Sequence, residues 1–536
     1  MSSGRIQIAA LLFILLSVAV PISSAGANID AVRYIIDLDI SQNNTAVGRV
    51  EIIFNATDAK GLTFLLDNNL SVQTLRLGRE SLIFQRFGDT VDVEFKRPVH
   101  GTNNLVVEYT GFLDESVDSH SWANLDSDGS FAVYEANWYP NIPGDRATAE
   151  IHIKTQPGWT SISNGVLIES SPENGMFSWF VDTPEIGFSF ASGRYWEQQD
   201  YEKHIPVSCY LQSVQPDCAE TLRKSVSFFS RRFGDYSYPK MALVEVGGGL
   251  KGGHGDNSLV IMSSDILSSP KFTEFLAHEA AHSWFGGMIT ANDSKWLTEG
   301  FATYAGVMYL ENLDSSLARD ALSSKRKEYL KVKSTGRDKA ILSAKGEYDD
   351  VFHATVYSKG ALVLHMLRSV VGEETFSPIL RDYVEGYRGG SASVADFQAL
   401  SENVSGMELE WFFDQWLRST VVPDYYFETA ETEFDGSVYT VQAVVGESST
   451  ADFKMPVDII FVTDKGNTSK RVWIDSGAAE VEFQSTSRPV YLEIDREGWI
   501  LESRRSNNRR VLRYPLSFFG LRLLISNLVR SLQPGF

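Results

Sequence analysis

The chain has 536 residues, of which 43% are hydrophobic and 22% charged, and its formal net charge is −21. This length exceeds what one hydrophobic core supports, so the composition indicates a globular protein of several domains. The acidic balance argues against nucleic acid as a partner, because binding to phosphates requires clustered lysine and arginine.

The first 27 residues are typical of an export signal. Arg5 supplies a short basic region, an apolar run extends over residues 6–20, and small residues at positions 25–27 offer a cleavage site before Asn28. We therefore expect an exported protein that is secreted, periplasmic or otherwise extracytoplasmic. An uncleaved membrane anchor is the alternative, although the run is short for a membrane span.

Three stretches of different periodicity follow the signal. Residues 28–198 alternate apolar and polar positions, as in 34–40 and 91–95, which predicts an N-terminal antiparallel β domain. Residues 199–420 show helical spacing, for example in 272–285, 299–312 and 361–371. Residues 421–502 return to strand-like runs, which predict a C-terminal β-sandwich. The predicted fold class is therefore a multidomain α+β protein with an α-rich middle domain.

The last segment, residues 503–536, contains seven arginines and no acidic residue. Arg522, Ser526 and Arg530 would line one face of a helix whose remaining positions are largely apolar. This pattern predicts an amphipathic tail that docks on a membrane surface or a partner. A helix packed on its own protein and a sorting tail are the alternatives.

The chain has two cysteines, Cys209 and Cys218. In an exported protein they could close a small disulfide loop. Two free thiols are an equally open interpretation.

A metal-binding motif lies at residues 278–282, which read His-Glu-Ala-Ala-His. On a helix, His278 and His282 project from one face, a separation that suits two ligands of one tetrahedral zinc. Glu279 would point toward the open coordination position, where a general base is needed. Glu299, on a separate element, is the candidate third ligand. The alternative is a pair of histidines on an ordinary amphipathic helix, whose start is predicted at residues 269–270, Ser-Pro.

The chain resembles the aminopeptidase N-like family of gluzincin metallopeptidases in HEAAHSWFGGMIT and, downstream, KWLTEGFATY. Residues 356–367 also resemble the family's catalytic-tyrosine segment. The resemblance implies three domains, with a thermolysin-like catalytic domain at 199–420 between the two β domains.

The resemblance also implies roles for five residues. One zinc ion per chain would be held by His278, His282 and Glu299, Glu279 would be the general base, and Tyr357 would hydrogen-bond the tetrahedral oxyanion. Taken without the resemblance, Tyr357 is better interpreted as a core aromatic at a helix start.

Two departures from the family pattern concern the metal and the substrate. Sixteen residues separate His282 from Glu299, slightly fewer than is usual in the family. The family's Gly-x-Met-Glu-Asn segment, whose glutamate anchors the substrate's free amine, reads Gly-His-Gly-Asp-Asn at residues 253–257. Asp256 would take the place of that glutamate, and Glu135 loosely resembles an upstream amine site. An ordinary loop acid is the alternative for both.

We therefore expect an exported zinc-dependent metallopeptidase that acts on peptide or protein substrates, with removal of N-terminal residues as its expected mode. Because the amine-anchor segment is altered, peptide hydrolysis is better supported than strict aminopeptidase action. The alternatives are a non-catalytic binding module on a peptidase scaffold, a zinc endopeptidase, and a hydrolase of non-peptide substrates.

Overall fold

The computed structural model describes residues 29–42, 44–117, 120–215, 217–247, 249–345, 349–449, 453–475 and 477–513. The predicted export signal and the helix predicted in the basic tail lie outside these residues. None of the helices in the described ranges is both long enough and apolar enough to cross a membrane.

Two β-sheets build the N-terminal part of the described chain. A nine-stranded sheet has the order β12-β13-β10-β1-β2-β6-β3-β4, with β5 also paired to β6, and a five-stranded sheet has the order β11-β14-β9-β8-β7. The strands are β1 (Ile29–Gln42), β2 (Thr45–Leu65), β3 (Leu70–Leu77), β4 (Glu80–Ser81), β5 (Phe84–Phe87), β6 (Thr90–Gly111), β7 (Asp114–Val117), β8 (His120–Leu125), β9 (Gly129–Ala132), β10 (Ala147–Lys154), β11 (Thr160–Ser163), β12 (Val166–Ser171), β13 (Met176–Glu185) and β14 (Phe190–Gly193).

Alternating burial explains why this region folds as sheets. In β1, for example, Tyr34, Ile36 and Leu38 are buried while the intervening residues are partly exposed, the period expected for strands with one face on a core. The prediction of an antiparallel domain was wrong for one pair, because β1 and β10 run parallel. Parallel neighbours need a long connection, and the strands β2 to β9 supply it.

A five-stranded sheet and a set of helices follow. The sheet has the order β15-β16-β17-β19-β18, with β18 antiparallel at its edge. Its strands are β15 (Trp196–Glu202), β16 (Ile205–Leu211), β17 (Met241–Val246), β18 (Gly253–Asp256) and β19 (Leu259–Ser263), with a short parallel pair β20 (Thr290–Ala291) and β21 (Ser391–Ala392) nearby. The helices are α1 (Cys218–Phe233), α2 (Ser264–Leu267), α3 (Phe272–Ala281), α4 (Phe301–Leu313), α5 (Ser315–Ser334), α6 (Asp350–Phe352), α7 (Gly360–Val371), α8 (Glu373–Tyr387), α9 (Val394–Ser405) and α10 (Glu410–Leu417).

The middle sheet is buried on both faces. Val244 and Ile261 belong to the hydrophobic core of the N-terminal sheets, whereas their neighbours Leu243 and Val260 belong to the core formed with the helices. Continuous apolar strands such as Met-Ala-Leu-Val-Glu-Val in β17 are typical of a sheet covered on both sides. The sheet therefore joins the two regions and fixes the edge strand β18 against α3.

The predicted start of the metal-binding helix was wrong by a few residues. Helix α3 begins at Phe272, and its preceding residue makes no side-chain cap. The hydroxyl of Ser269 instead accepts a hydrogen bond from the backbone N–H of Lys271, at 3.1 Å, in the turn before the helix. This turn directly follows the short helix α2, at the residues where the sequence pattern predicted a cap.

The C-terminal part of the described chain has two small sheets, β22-β23-β26 and β25-β24-β27-β28. Their strands are β22 (Tyr425–Phe434), β23 (Tyr439–Glu447), β24 (Lys454–Thr463), β25 (Gly466–Asp475), β26 (Ala478–Ser485), β27 (Pro489–Ile494) and β28 (Arg509–Val511). Strand β28 places the first part of the basic tail inside this domain. A disulfide links Cys209, in β16, to Cys218, the first residue of α1, which decides between the two interpretations of the cysteines.

Candidate active site

The predicted metal ligands converge from two elements. His278 lies in α3, and His282 follows the last residue of that helix. Glu299 lies in a π-helical turn, Trp296–Gly300, that leads into α4. The Nε2 atoms of the two histidines are 3.2 Å apart. Oε2 of Glu299 lies 3.3 Å from Nε2 of His282 and 3.7 Å from Nε2 of His278. We call these three residues the metal-ligand cluster.

The separations in the metal-ligand cluster match those of zinc ligands. Ligand atoms about 2.0–2.1 Å from a tetrahedral zinc lie about 3.3 Å from each other. Two imidazole nitrogens and one carboxylate oxygen are also the donor types that zinc prefers. A carboxylate oxygen of Glu279 lies within 4.8 Å of the ligand nitrogens. Glu299 approaches both nitrogens closely, so the geometry is compatible with the prediction that it is the third ligand and that Glu279 lies beside the site.

The far nitrogens of both imidazoles are occupied by partners in the protein. Nδ1 of His282 lies 3.0 Å from the carbonyl oxygen of Phe285, and Nδ1 of His278 lies 3.3 Å from Oγ1 of Thr303. The carbonyl can only accept, so Nδ1 of His282 carries a proton and Nε2 is the nitrogen that faces the site. Such partners fix the tautomer and the ring orientation of metal-binding histidines.

Charge coupling within the metal-ligand cluster is strong. Burial alone would lower the pKa of His282, but the carboxylates of Glu299 and Glu279 outweigh it and raise that pKa to about 9. Burial would likewise raise the pKa of Glu299, but the two imidazoles hold it well below its usual range. The Glu299 carboxylate and the protonated His282 therefore stabilise each other, and metal binding would replace the extra imidazole proton.

Glu279 and Tyr357 line the same cleft as the metal-ligand cluster, which has a volume of about 1510 Å³. Glu279 is buried in α3 between the two histidines in sequence. Tyr357 lies in a second π-helical turn, His353–Lys359, and its ring is nearly parallel to that of His278 at a centroid distance of 5.9 Å. The predicted general base and the predicted hydroxyl donor therefore face one cavity with the ligands.

The predicted amine-binding acids lie along the edge strand β18. Nε2 of His254 is 3.2 Å from Oε2 of Glu135, although the two groups are not aligned as a hydrogen bond. Asp256 is buried, and its two oxygens accept from the Ser189 hydroxyl at 2.8 Å and the Asn257 amide at 2.9 Å. We call Glu135, His254 and Asp256 the acidic cluster. Both acids line the cleft, and their role in substrate binding stays a prediction.

The surroundings of Asp256 were missed by sequence reasoning. The Asn257 side chain also donates to the buried Glu185 at 2.9 Å, and burial raises the pKa of Glu185 well above its usual range. Burial lowers the pKa of the nearby Lys240 to about 7. These residues come from different domains, so spacing along the chain gave no signal for them.

Strand β18 approaches α3 closely because of its glycines. A Cβ atom added to Gly255 would lie 2.2 Å from the backbone oxygen of Glu279, and one added to Gly253 would lie 2.8 Å from the Glu279 side chain. The glycine-rich sequence therefore allows the acidic cluster and the general base to lie against each other.

Comparison with known proteins agrees with this geometry. The family model described as "Peptidase family M1 domain" matches residues 218–416, the range that contains the whole metal-ligand cluster. The middle of the chain therefore matches a peptidase family M1 domain. This confirms the aminopeptidase N-like, gluzincin family that the motifs indicated.

Individual M1 relatives are distant in sequence. The chain is 24% identical over 454 residues to tricorn protease-interacting factor F2 of Thermoplasma acidophilum, covering 77% of this chain and 55% of that protein. It is 30% identical over 243 residues to glutamyl aminopeptidase of Bos taurus, covering 41% of this chain and 25% of that protein. The chain thus spans about half or less of the length of these two curated relatives.

Two solved M1 structures share the fold. An M1 zinc metallopeptidase from Deinococcus radiodurans has a TM-score of 0.61 at 21% identity, covering 73% of this chain and 94% of that one. Aminopeptidase A of Legionella pneumophila, in complex with aspartic acid, has a TM-score of 0.71 at 18% identity, covering 93% of this chain and 61% of that one. The predicted multidomain α+β class is confirmed.

Proposed function

We propose that this chain is a zinc-dependent metallopeptidase that removes residues from the amino terminus of peptides. The observation that carries the proposal is the convergence of three ligand atoms, 3.2–3.7 Å apart, in a cleft that Glu279 and Tyr357 also line. A single zinc ion per chain, held by His278, His282 and Glu299, would lower the pKa of a water molecule and polarise the scissile carbonyl.

Glu279 and Tyr357 would carry out the proton transfer and the charge stabilisation. Glu279 is placed to accept a proton from the attacking water and to pass it to the leaving amine. The hydroxyl of Tyr357 would donate a hydrogen bond to the carbonyl oxygen as negative charge develops there. The acidic cluster would bind the substrate's amino group, because carboxylates are its natural partners in a water-poor site.

Two solved structures of M1 zinc metallopeptidases support this proposal. A mutant of the Deinococcus radiodurans enzyme is bound to a Tyr-Ser-Ala substrate, and a mutant of a two-domain M1 zinc metallopeptidase is bound to L-arginine. A tripeptide and a single amino acid are what an aminopeptidase would bind and release.

One observation favours a second candidate, an endopeptidase that does not need a free amine. Both oxygens of Asp256 accept hydrogen bonds from the protein, and Glu135 faces His254. A carboxylate already satisfied in this way gains less from a substrate amine than an unpartnered one.

The decisive experiment is mass spectrometry of digests of one peptide in two forms, with a free and with an acetylated amino terminus. Sequential loss of residues from the free form alone would support aminopeptidase action, and internal cuts in both forms would support the endopeptidase. The control is Glu279→Gln, which should keep zinc and lose activity. Equal inactivity of the wild type and Glu279→Gln on a broad peptide library would contradict a peptidase of either kind.

We also propose that the protein is exported and that its basic tail contacts an anionic membrane surface. The disulfide between Cys209 and Cys218 supports an oxidising compartment. Binding to vesicles of anionic lipid, compared between the full chain and a version that ends at residue 513, tests the tail. Equal binding of the two proteins would contradict the membrane contact.

A further inference from the structure

The Tyr357 ring lies beside a second imidazole that belongs to none of the groups described above. His353, four residues earlier in the same π-helical turn, stacks on Tyr357 with a centroid distance of 4.6 Å and an interplanar angle of 17°. The ring is also nearly parallel to that of His278, at 18°. The phenol ring of Tyr357 is thus nearly parallel to two imidazoles, that of His353 and that of the predicted metal ligand His278.

The imidazole of His353 is held in place by Glu328 of α5. Nδ1 of His353 lies 2.8 Å from Oε1 of Glu328, and the hydroxyl of Ser358 donates to Oε2 of the same carboxylate at 2.6 Å. The hydrogen bond from His353 is the main reason that the pKa of Glu328 is lowered to about 2. An ionised carboxylate only accepts hydrogen bonds, so Nδ1 of His353 carries the proton.

These contacts tie the π-helical turn to α5 on both sides of Tyr357. His353 precedes the tyrosine by four residues and Ser358 follows it by one, and one carboxylate binds both. The side chain of His353 is 51% exposed, so packing by the hydrophobic core does not hold it. The stacking on Tyr357 and the hydrogen bond to Glu328 together hold the imidazole against the phenol.

We propose that His353, oriented by Glu328, is a positioning residue that keeps the Tyr357 hydroxyl aimed at the reacting carbonyl. The proposal rests on the proposed function, because it needs Tyr357 to stabilise the oxyanion. A donor at such a site must hold its place to within about 0.5 Å, and neighbouring side chains must lock its rotamer. A stacked aromatic ring restricts the phenol in this way.

The first test separates the effects on kcat and KM. His353→Ala removes the stacking ring and should lower kcat about tenfold, the factor that an aromatic pair contributes, with KM unchanged. His353→Phe keeps a flat ring in the same place and should restore kcat to within about twofold of the wild type. The matched control is His204→Ala, which removes an exposed histidine from a turn away from the cleft. A rise in KM with unchanged kcat would show that His353 binds substrate and would overturn the proposal.

A double-mutant cycle tests whether Glu328 acts through His353. Glu328→Ala should lower kcat more in the wild-type background than in the His353→Phe background, where only the contact with Ser358 is lost. An equal loss of kcat in both backgrounds would contradict the proposed link.

A structural measurement keeps this proposal separate from the proposed function. In crystal structures, Tyr357 should leave its rotamer in His353→Ala and keep it in His353→Phe. An unmoved Tyr357 in His353→Ala would overturn the positioning role even if the enzyme is active. If the wild type hydrolyses no peptide, the proposed function fails, and the rotamer result still decides whether His353 positions Tyr357.

Discussion

The metal-ligand cluster and the acidic cluster line one cleft but differ in what their polar atoms contact. In the first, the Nε2 atoms and the Glu299 carboxylate face one another, and protein partners occupy only the far side of each imidazole. In the second, protein groups already face the carboxylates of Asp256 and Glu135. This contrast indicates that the metal-ligand cluster is arranged to hold a cation. The acidic cluster, in comparison, must exchange existing contacts to bind an amine.

Removal of a predicted zinc ligand should have the largest effect on activity. It would test whether the metal-ligand cluster holds a cation. Glu299→Ala should abolish zinc binding at one equivalent and lower kcat/KM more than about a thousandfold, because the water and the carbonyl lose their activation. Elemental analysis and peptide kinetics measure the two effects. Glu433→Ala, at an exposed position in β22, is the matched control. Full zinc occupancy in Glu299→Ala would assign the third ligand elsewhere.

Loss of the Tyr357 hydroxyl should have the second-largest effect on activity. Tyr357→Phe keeps the ring and its stacking but removes the hydrogen bond to the oxyanion, so kcat should fall about a hundredfold or more. Zinc content and the melting temperature should match those of the wild type. An unchanged kcat, measured on the same peptide, would return Tyr357 to the role of an ordinary core aromatic.

A substitution between the two clusters should have an intermediate effect. Gly255→Ala places a Cβ atom 2.2 Å from the backbone oxygen of Glu279, so strand β18 or helix α3 must shift, at a cost of about 1–3 kcal/mol. Thermal unfolding measures the loss, and kcat should fall with it. Gly247→Ala, where an added Cβ meets nothing within 4 Å, is the control. Equal stability of the two variants would show that the close approach is not needed.

The smallest effect is expected from the acidic cluster itself. Burial raises the pKa of Asp256 to about 6, so the folded chain holds a proton that the unfolded chain releases. The free energy of unfolding should therefore fall as pH rises from about 4 through 6, by on the order of 1–3 kcal/mol, and Asp256→Asn should lose this dependence.

The kinetics of the Asp256→Asn variant test whether Asp256 binds the amino group of the substrate. Asp256→Asn should raise KM for free-amine peptides a few-fold, because one amine contact contributes about 1 kcal/mol net. Melting temperatures between pH 4 and 8 and KM values for a free-amine peptide are the measurements. An unchanged KM would make Asp256 a structural residue that holds Ser189 and Asn257.

Local sequence patterns predicted the parts of the site that lie on single elements. The spacing of His278 and His282 fixes a common helical face wherever that helix is placed, and alternation of apolar residues gave strands such as β1. The start of α3 was placed wrongly because a Ser-Pro pair predicts a cap only when the preceding chain does not itself turn. The parallel pairing of β1 with β10 depends on residues more than a hundred positions apart, beyond the reach of periodicity.

The sequence by itself therefore predicted the ligand pair, the general base and Glu299 and, through the family resemblance, the role of Tyr357. Only the tertiary structure decided whether a polar side chain of the cleft already contacts another polar group of the protein. Glu135 meets His254, Asp256 meets Ser189, and His353 meets Glu328 across different elements. The physical reason is that a carboxylate's capacity to bind a ligand depends on the burial and hydrogen bonds around it, and distant parts of the chain supply both.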